Sequence, residues 1–202
     1  PAQATRHASH RSRQAPADPP KFGTDAPRLG AGGRLSLLGG VCMGLAVLTK
    51  QSNGALGVAL VVALVVMRRD QLVAFVVGAG ATAGLGLLLL ILQSGSWPLY
   101  FLWQLPRVHQ VLPELMSRFW DHILVRFAVP VMLAPFYLVM QARRGDRRRA
   151  LFYALVAIAL IGMAWASQAT INGGSNVELP AYAAFSLLFA LSLHEVLRLV
   201  GS

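Results

Sequence analysis

Long apolar runs separated by short polar breaks set the plan of this chain. After a polar opening, residues 35–49 are apolar, Thr-Lys-Gln-Ser-Asn-Gly interrupts at 49–54, and a second apolar run covers 55–67. A charged turn, Met67-Arg68-Arg69-Asp70, leads into a full-length run over 71–92, and 122–140, 151–166 and 180–200 supply three more. A bilayer core takes ~20 apolar helical residues. The later runs therefore read as spanning helices, while 35–49 and 55–67 read as two short helices meeting at a polar break. Residues between 108 and 120 carry apolar groups at 108, 111, 112, 115, 116, 119 and 120, the helical period, with Arg107, His109, Gln110, Glu114, Ser117 and Arg118 opposite. Pro113 predicts a turn up to Leu112 and a helix from Pro113 onward. Trp97, Tyr100, Phe101 and Trp103 suit a headgroup layer, so this stretch reads as an amphipathic segment lying in the interface. Pro130 and Pro135 predict a kink in 122–140. The spacings Gly40/Gly44 and Gly80/Gly84 predict two faces of close helix approach. The fold class expected is an all-α polytopic transmembrane bundle of about six helices over 35–202, with an interfacial amphipathic helix.

Composition agrees: 55% of the residues are hydrophobic, only 13% are charged, and the mean hydropathy is +0.56. That profile excludes a soluble domain. Residues 1–34 hold Arg6, Arg11, Arg13, Lys21, Arg28 and Arg34 against Asp18 and Asp25, and read as a disordered basic segment without the apolar core of a signal peptide. The net charge of +10 falls in short clusters between apolar runs, as in cytoplasmic loops, and forms no basic, aromatic-rich face; a nucleic-acid partner is excluded on that ground. Arg68–Arg69 and the cluster Arg143, Arg144, Arg147, Arg148, Arg149 then face the cytoplasm, with residues 1–34 on the same side. Alternation gathers the Lys50 break, 93–120 and 167–179 on the outer side. Cys42 is the single cysteine, so neither an intrachain disulfide nor a cysteine-type metal site arises within the chain. The chain opens on Pro1 rather than Met, and we expect helices of the same protein to precede it.

Three polar stretches on one face of a bundle make a site hypothesis. Lys50 is the only lysine after Lys21; it is either a snorkelling anchor or a ligand for an anion. His109 and Arg107 stand on the amphipathic segment, and each is either a solvated or headgroup contact or part of a site. Asn172 and Asn176 lie beside glycines, where turn chemistry accounts for them equally well. Arg126, one turn inside the outer end, can snorkel. His194 and Glu195 fall near the inner surface, with a proton relay as the functional option.

Three segments resemble the membrane-embedded glycosyltransferases of the GT-C fold, in the polyprenyl-phosphate-sugar-dependent subgroup that includes protein mannosyltransferases and lipid A aminoarabinose transferases. They are the helix end Leu38-Gly39-Gly40 through Thr49-Lys50-Gln51, the aromatic stretch Ser96-Trp97 through Leu105-Pro106-Arg107-Val108-His109, and Gly173-Gly174-Ser175-Asn176-Val177-Glu178-Leu179-Pro180-Ala181. Together they cover about 35–200. The resemblance implies an enzyme of the bacterial inner membrane. It would pass a sugar from a lipid-linked donor to an acceptor hydroxyl on the outer side, with membrane lipid as surroundings. It implies Lys50, Gln51, Arg107, His109 and Asn176 as substrate-binding residues, with Lys50 and then Arg107 and Arg126 the choices for the departing phosphate, and Glu178 as the candidate base. No cofactor is fixed by it; a divalent metal stays open. Members carry a carboxylate on the first outer loop, after the first helix; Asp18 and Asp25 follow no helix, so the chain departs from the pattern there. A transporter or channel segment, or a non-catalytic membrane scaffold whose arginine loops bind anionic lipid, is the alternative.

Overall fold

A computed structural model describes residues 31–108, 111–169 and 175–201, and these are helical, with no β-sheet among them. Helix α1 spans Ala31–Thr49, α2 Gly54–Met67, α3 Arg69–Ser94, α4 Pro113–Arg143, α5 Arg147–Gln168 and α6 Leu179–Val200. All but α2 are long and apolar enough to cross a membrane, which makes the chain a multi-pass membrane protein. Helix α1 starts four residues ahead of its apolar run and takes in Arg34. The rest of the expected disordered segment, residues 1–30, lies outside the described residues.

The polar break forms as expected. Lys50 is extended (φ −153°, ψ 111°) and a 3-10 turn, Gln51–Asn53, leads into α2. At this helix end Ala46 O accepts the Lys50 N–H at 3.0 Å and also Thr49 Oγ1 and Asn53 Nδ2, each at 2.8 Å. Local side chains thus end α1 before Lys50.

Helix α1 packs chiefly on α3 through backbone. A Cβ added at Gly40 would run into the Phe75 carbonyl, one at Gly44 would meet Ala79 O at 2.7 Å, and one at Gly78 would meet Leu37 O at 2.5 Å. The Gly40/Gly44 face therefore does what its spacing predicts. The Gly80/Gly84 face does not: a Cβ at either position meets nothing within 4 Å. Two positions along a helix turn it by ~200°, so once Gly78 and Ala79 face α1, Gly80 and Gly84 look away.

Helices α4, α5 and α6 pack on one another around a second core, in which Phe119, Ile123, Ala164 and Ala181 are fully buried beside Phe185 and Leu188. Helix α2 leans on α5 and joins the two parts. The amphipathic turns from Pro113 run without a break into the spanning part of α4, 31 residues in all. The kink falls at Phe127 (φ −126°, ψ 27°). Pro130 has no N–H to donate, and its ring crowds the carbonyl of Arg126 four residues back; the helix opens at the residue between them. Pro135 leaves no such mark. The preceding aromatic stretch forms short turns, Trp97–Leu99, Tyr100–Gln104 (a π-turn) and Leu105–Val108. Trp97 stacks on Phe101 with centroids 5.9 Å apart. The stretch stays at the Lys50 end: Pro98 and Phe101 line one cleft with Val47 and Leu48.

Candidate functional site

Helix α6 begins at Leu179 with Pro180 in its first turn, a position where a missing N–H costs nothing. The residue before it, Glu178, is thereby turned into the bundle rather than out to the headgroups. Its side chain is 3% exposed. A carboxylate that deep needs partners, and helix spacing supplies them. Tyr182 lies four residues on, over the same face, and its hydroxyl donates to Glu178 Oε2. On α4, His122 and Arg126 are likewise four apart. His122 Nδ1 is 3.3 Å from Glu178 Oε1, and Arg126 Nη1 is 3.6 Å from Oε2 while donating to Tyr182 Oη at 3.2 Å. Phe127 stacks on the Tyr182 ring at 4.5 Å between centroids, so the kinked turn of α4 helps hold the tyrosine.

The group has an inside and an outside. Glu178 and Tyr182 are packed away, whereas the side chains of His122 and Arg126 are 51% and 56% exposed. An ionised carboxylate only accepts, so the imidazole nitrogen facing it donates, and in the neutral ring this leaves the Nε2 lone pair directed away from Glu178. The arrangement offers an oriented proton acceptor beside a guanidinium.

The other expected site residues divide. Lys50 is exposed, with no ionic partner among the described residues, and Gln51 is exposed on the turn after it. The turn itself packs on the end of α5, and there Ser52 Oγ and Gln168 Oε1 are both buried without a hydrogen-bond partner. No hydrogen bond or ion pair joins Lys50 or Gln51 to Glu178. Arg107 lies over the Trp103 ring, 4.3 Å from its centroid. Asn176 is exposed on the 3-10 turn Ser175–Val177 and does not join Glu178's partners. His109 and Asn172 lie outside the described residues. His122 and Tyr182 are the members of this cluster that reading the sequence missed. The signal was present: two polar pairs at i, i+4, each at the Lys50 end of an apolar helix.

At the other end of α6 a second carboxylate is buried. Glu195 accepts from Gln141 Nε2 at 3.1 Å and pairs with Arg144. One turn earlier, Ser192 Oγ donates to Leu133 O at 2.7 Å. His194 is exposed and takes no part. As for a divalent metal, no group of three or more His, Cys, Asp or Glu able to hold one occurs among the described residues; Glu178 and His122 supply two donors only.

No family model, curated protein or solved structure matches the chain.

Proposed function

We propose that this chain is part of a membrane glycosyltransferase of the GT-C type, moving a sugar from a polyprenyl-phosphate carrier to an acceptor hydroxyl at the Lys50 end of the bundle, and that this end faces outward from a bacterial inner membrane. The observation that carries the reading is the Glu178 cluster: a buried carboxylate orienting a half-exposed histidine, with an arginine alongside. The base is then His122 rather than Glu178. The acceptor oxygen attacks the anomeric carbon, its proton passes to His122 Nε2, and the carbon–oxygen bond to the carrier breaks, leaving the electron pair on the lipid phosphate. Arg126, with Lys50 across the break, supplies positive charge where that phosphate departs. Glu178 is a positioning residue, holding the imidazole by Nδ1.

The test is transfer of labelled sugar from purified polyprenyl-phosphate donor, in membranes containing the full-length protein and normalised to folded protein. General-base catalysis contributes on the order of 10²–10⁴-fold. His122→Asn should therefore cut turnover at least about 100-fold. Glu178→Gln should cut it less and alter its pH profile. Unchanged turnover in His122→Asn removes the reading.

A second reading has its own observation. Glu178 and Glu195 are buried near opposite ends of one helix, 17 residues or ~25 Å apart, as in a proton-coupled transporter segment. Uptake driven by a proton gradient and abolished by Glu195→Gln would favour it.

A further inference from the structure

The arginine-rich end carries a feature that sugar transfer does not use. There α1 and α2 stand apart, and the space between them is a cleft of about 400 Å³, floored by α3 and closed at one side by Phe152 of α5. Leu35, Gly39, Leu60, Leu64 and Phe75 give it almost wholly apolar walls. Its volume is within the range of small-ligand sites, roughly 300–1,000 Å³. Arg68 and Gln71 stand at its mouth. Gln71 is fixed there, its carbonyl accepting from Ser36 Oγ at 2.9 Å.

The charge around that mouth is unbalanced. Arg149 has Asp146, Arg144 has Glu195, and Arg68 touches Asp70 only at 3.4–3.5 Å in an exposed pair. Arg148 is exposed, pairs with no carboxylate among the described residues, and stands four residues before Phe152 on the same face of α5. An apolar cleft at membrane depth with guanidinia at its open end matches one chemistry: a hydrocarbon chain bearing an anionic head. A soluble phosphate would gain nothing from the apolar walls, and a zwitterionic lipid would bring its own cation to the arginines.

We infer that this cleft binds an anionic phospholipid, an acyl chain lying between α1 and α2 and the phosphodiester held by Arg68 and Arg148. The site is at the opposite end of the bundle from Glu178 and is independent of the sugar-transfer reading.

The experiment is lipid retention by the full chain, purified in detergent and followed by native mass spectrometry, with phosphatidylglycerol and phosphatidylcholine of matched chains in competition. The parent should prefer phosphatidylglycerol. Each juxtamembrane arginine changes binding about fivefold, so Arg68→Gln with Arg148→Gln should lower phosphatidylglycerol retention about 25-fold. Both positions are exposed, so the fold should survive. Gly39→Leu should fill the cleft and reduce retention of both lipids; a Cβ there has its nearest neighbour, Phe75 Cδ2, at 4.0 Å. The inference is overturned by equal retention of the two lipids in the parent, by an unaltered preference in the double-arginine variant, or by full retention in Gly39→Leu. It is equally overturned if Arg143→Gln with Arg147→Gln has the same effect as the Arg68/Arg148 pair, which would mean a diffuse field, or if glycerol phosphate competes as well as the diacyl lipid.

Discussion

The α1–α3 pair and the α4–α6 bundle solve one problem by opposite means. Lipid tails are as apolar as leucine, so helices in a membrane gain little from burying apolar surface against each other. The first pair removes side chains: Gly40, Gly44 and Gly78 let backbones touch. Besides Ser36 to the Gln71 carbonyl, no side-chain hydrogen bond is seen crossing it among the described residues. The second keeps its side chains large, with Phe119, Ile123, Tyr137 and Phe185 in the core, and bolts the helix ends with Glu178 and Glu195. The difference teaches where each region is vulnerable. The pair cannot accept an added atom; the bundle cannot lose a polar partner. The second also leaves His122 and Arg126 oriented and partly exposed, which is why the proposed chemistry is placed there.

The largest test of that contrast is Gly40→Leu. Overpacking ordinarily costs 1–3 kcal/mol; here the obstacle is the Phe75 backbone, and the loss should be about 3 kcal/mol or more in a detergent unfolding titration. Glu195→Ala probes the bundle. Stranding one partner of a buried pair costs 3–5 kcal/mol, but Arg144 is one-third exposed and can turn to water, so we expect about 2 kcal/mol by the same titration. Lys50→Met asks whether the break of the first region serves the site of the second: sugar transfer should fall roughly tenfold with expression intact, and Lys50→Arg should recover part of it. A snorkelling anchor would instead be restored fully by arginine and would lose protein level rather than specific activity. The smallest effect is expected of Gly84→Leu, whose side chain enters open space: a change within about 0.5 kcal/mol, whereas a loss like that of Gly40→Leu would show that α3 has a further partner.

Helices and breaks were legible because they rest on local physics. The run lengths, the polar hexapeptide at 49–54 and Pro113 each act within a turn or two of themselves, and the bundle follows them closely. The glycine faces were half legible. Spacing announces that Gly80 and Gly84 share a face but not which way that face looks, and the register of α3 against α1 decides that. Two of the cluster's four members, Glu178 and Arg126, were named from the sequence, and His122 and Tyr182 were not. Glu178 was named through the resemblance of the segment around Pro180, but its partners on α4, Arg126 and His122, stand 52 and 56 residues away, a separation that only packing closes. Reading His122 and Arg126 as the lip of a spanning helix concealed that they share a face. Asn176, two residues from Glu178, shows the converse: nearness in the chain does not bring it to the carboxylate.

Helix α2 has 14 residues, a length of ~21 Å at 1.5 Å per residue, against a hydrocarbon layer of ~30 Å. A helix that short crosses only where the leaflets thin locally, at a cost of fractions of a kcal/mol per ångström. Such thinning would bring headgroups and water to Lys50, whose ammonium would otherwise lie among the tails. The protein should accordingly favour thin membranes, and its behaviour should change with acyl-chain length even where lipid charge is held constant.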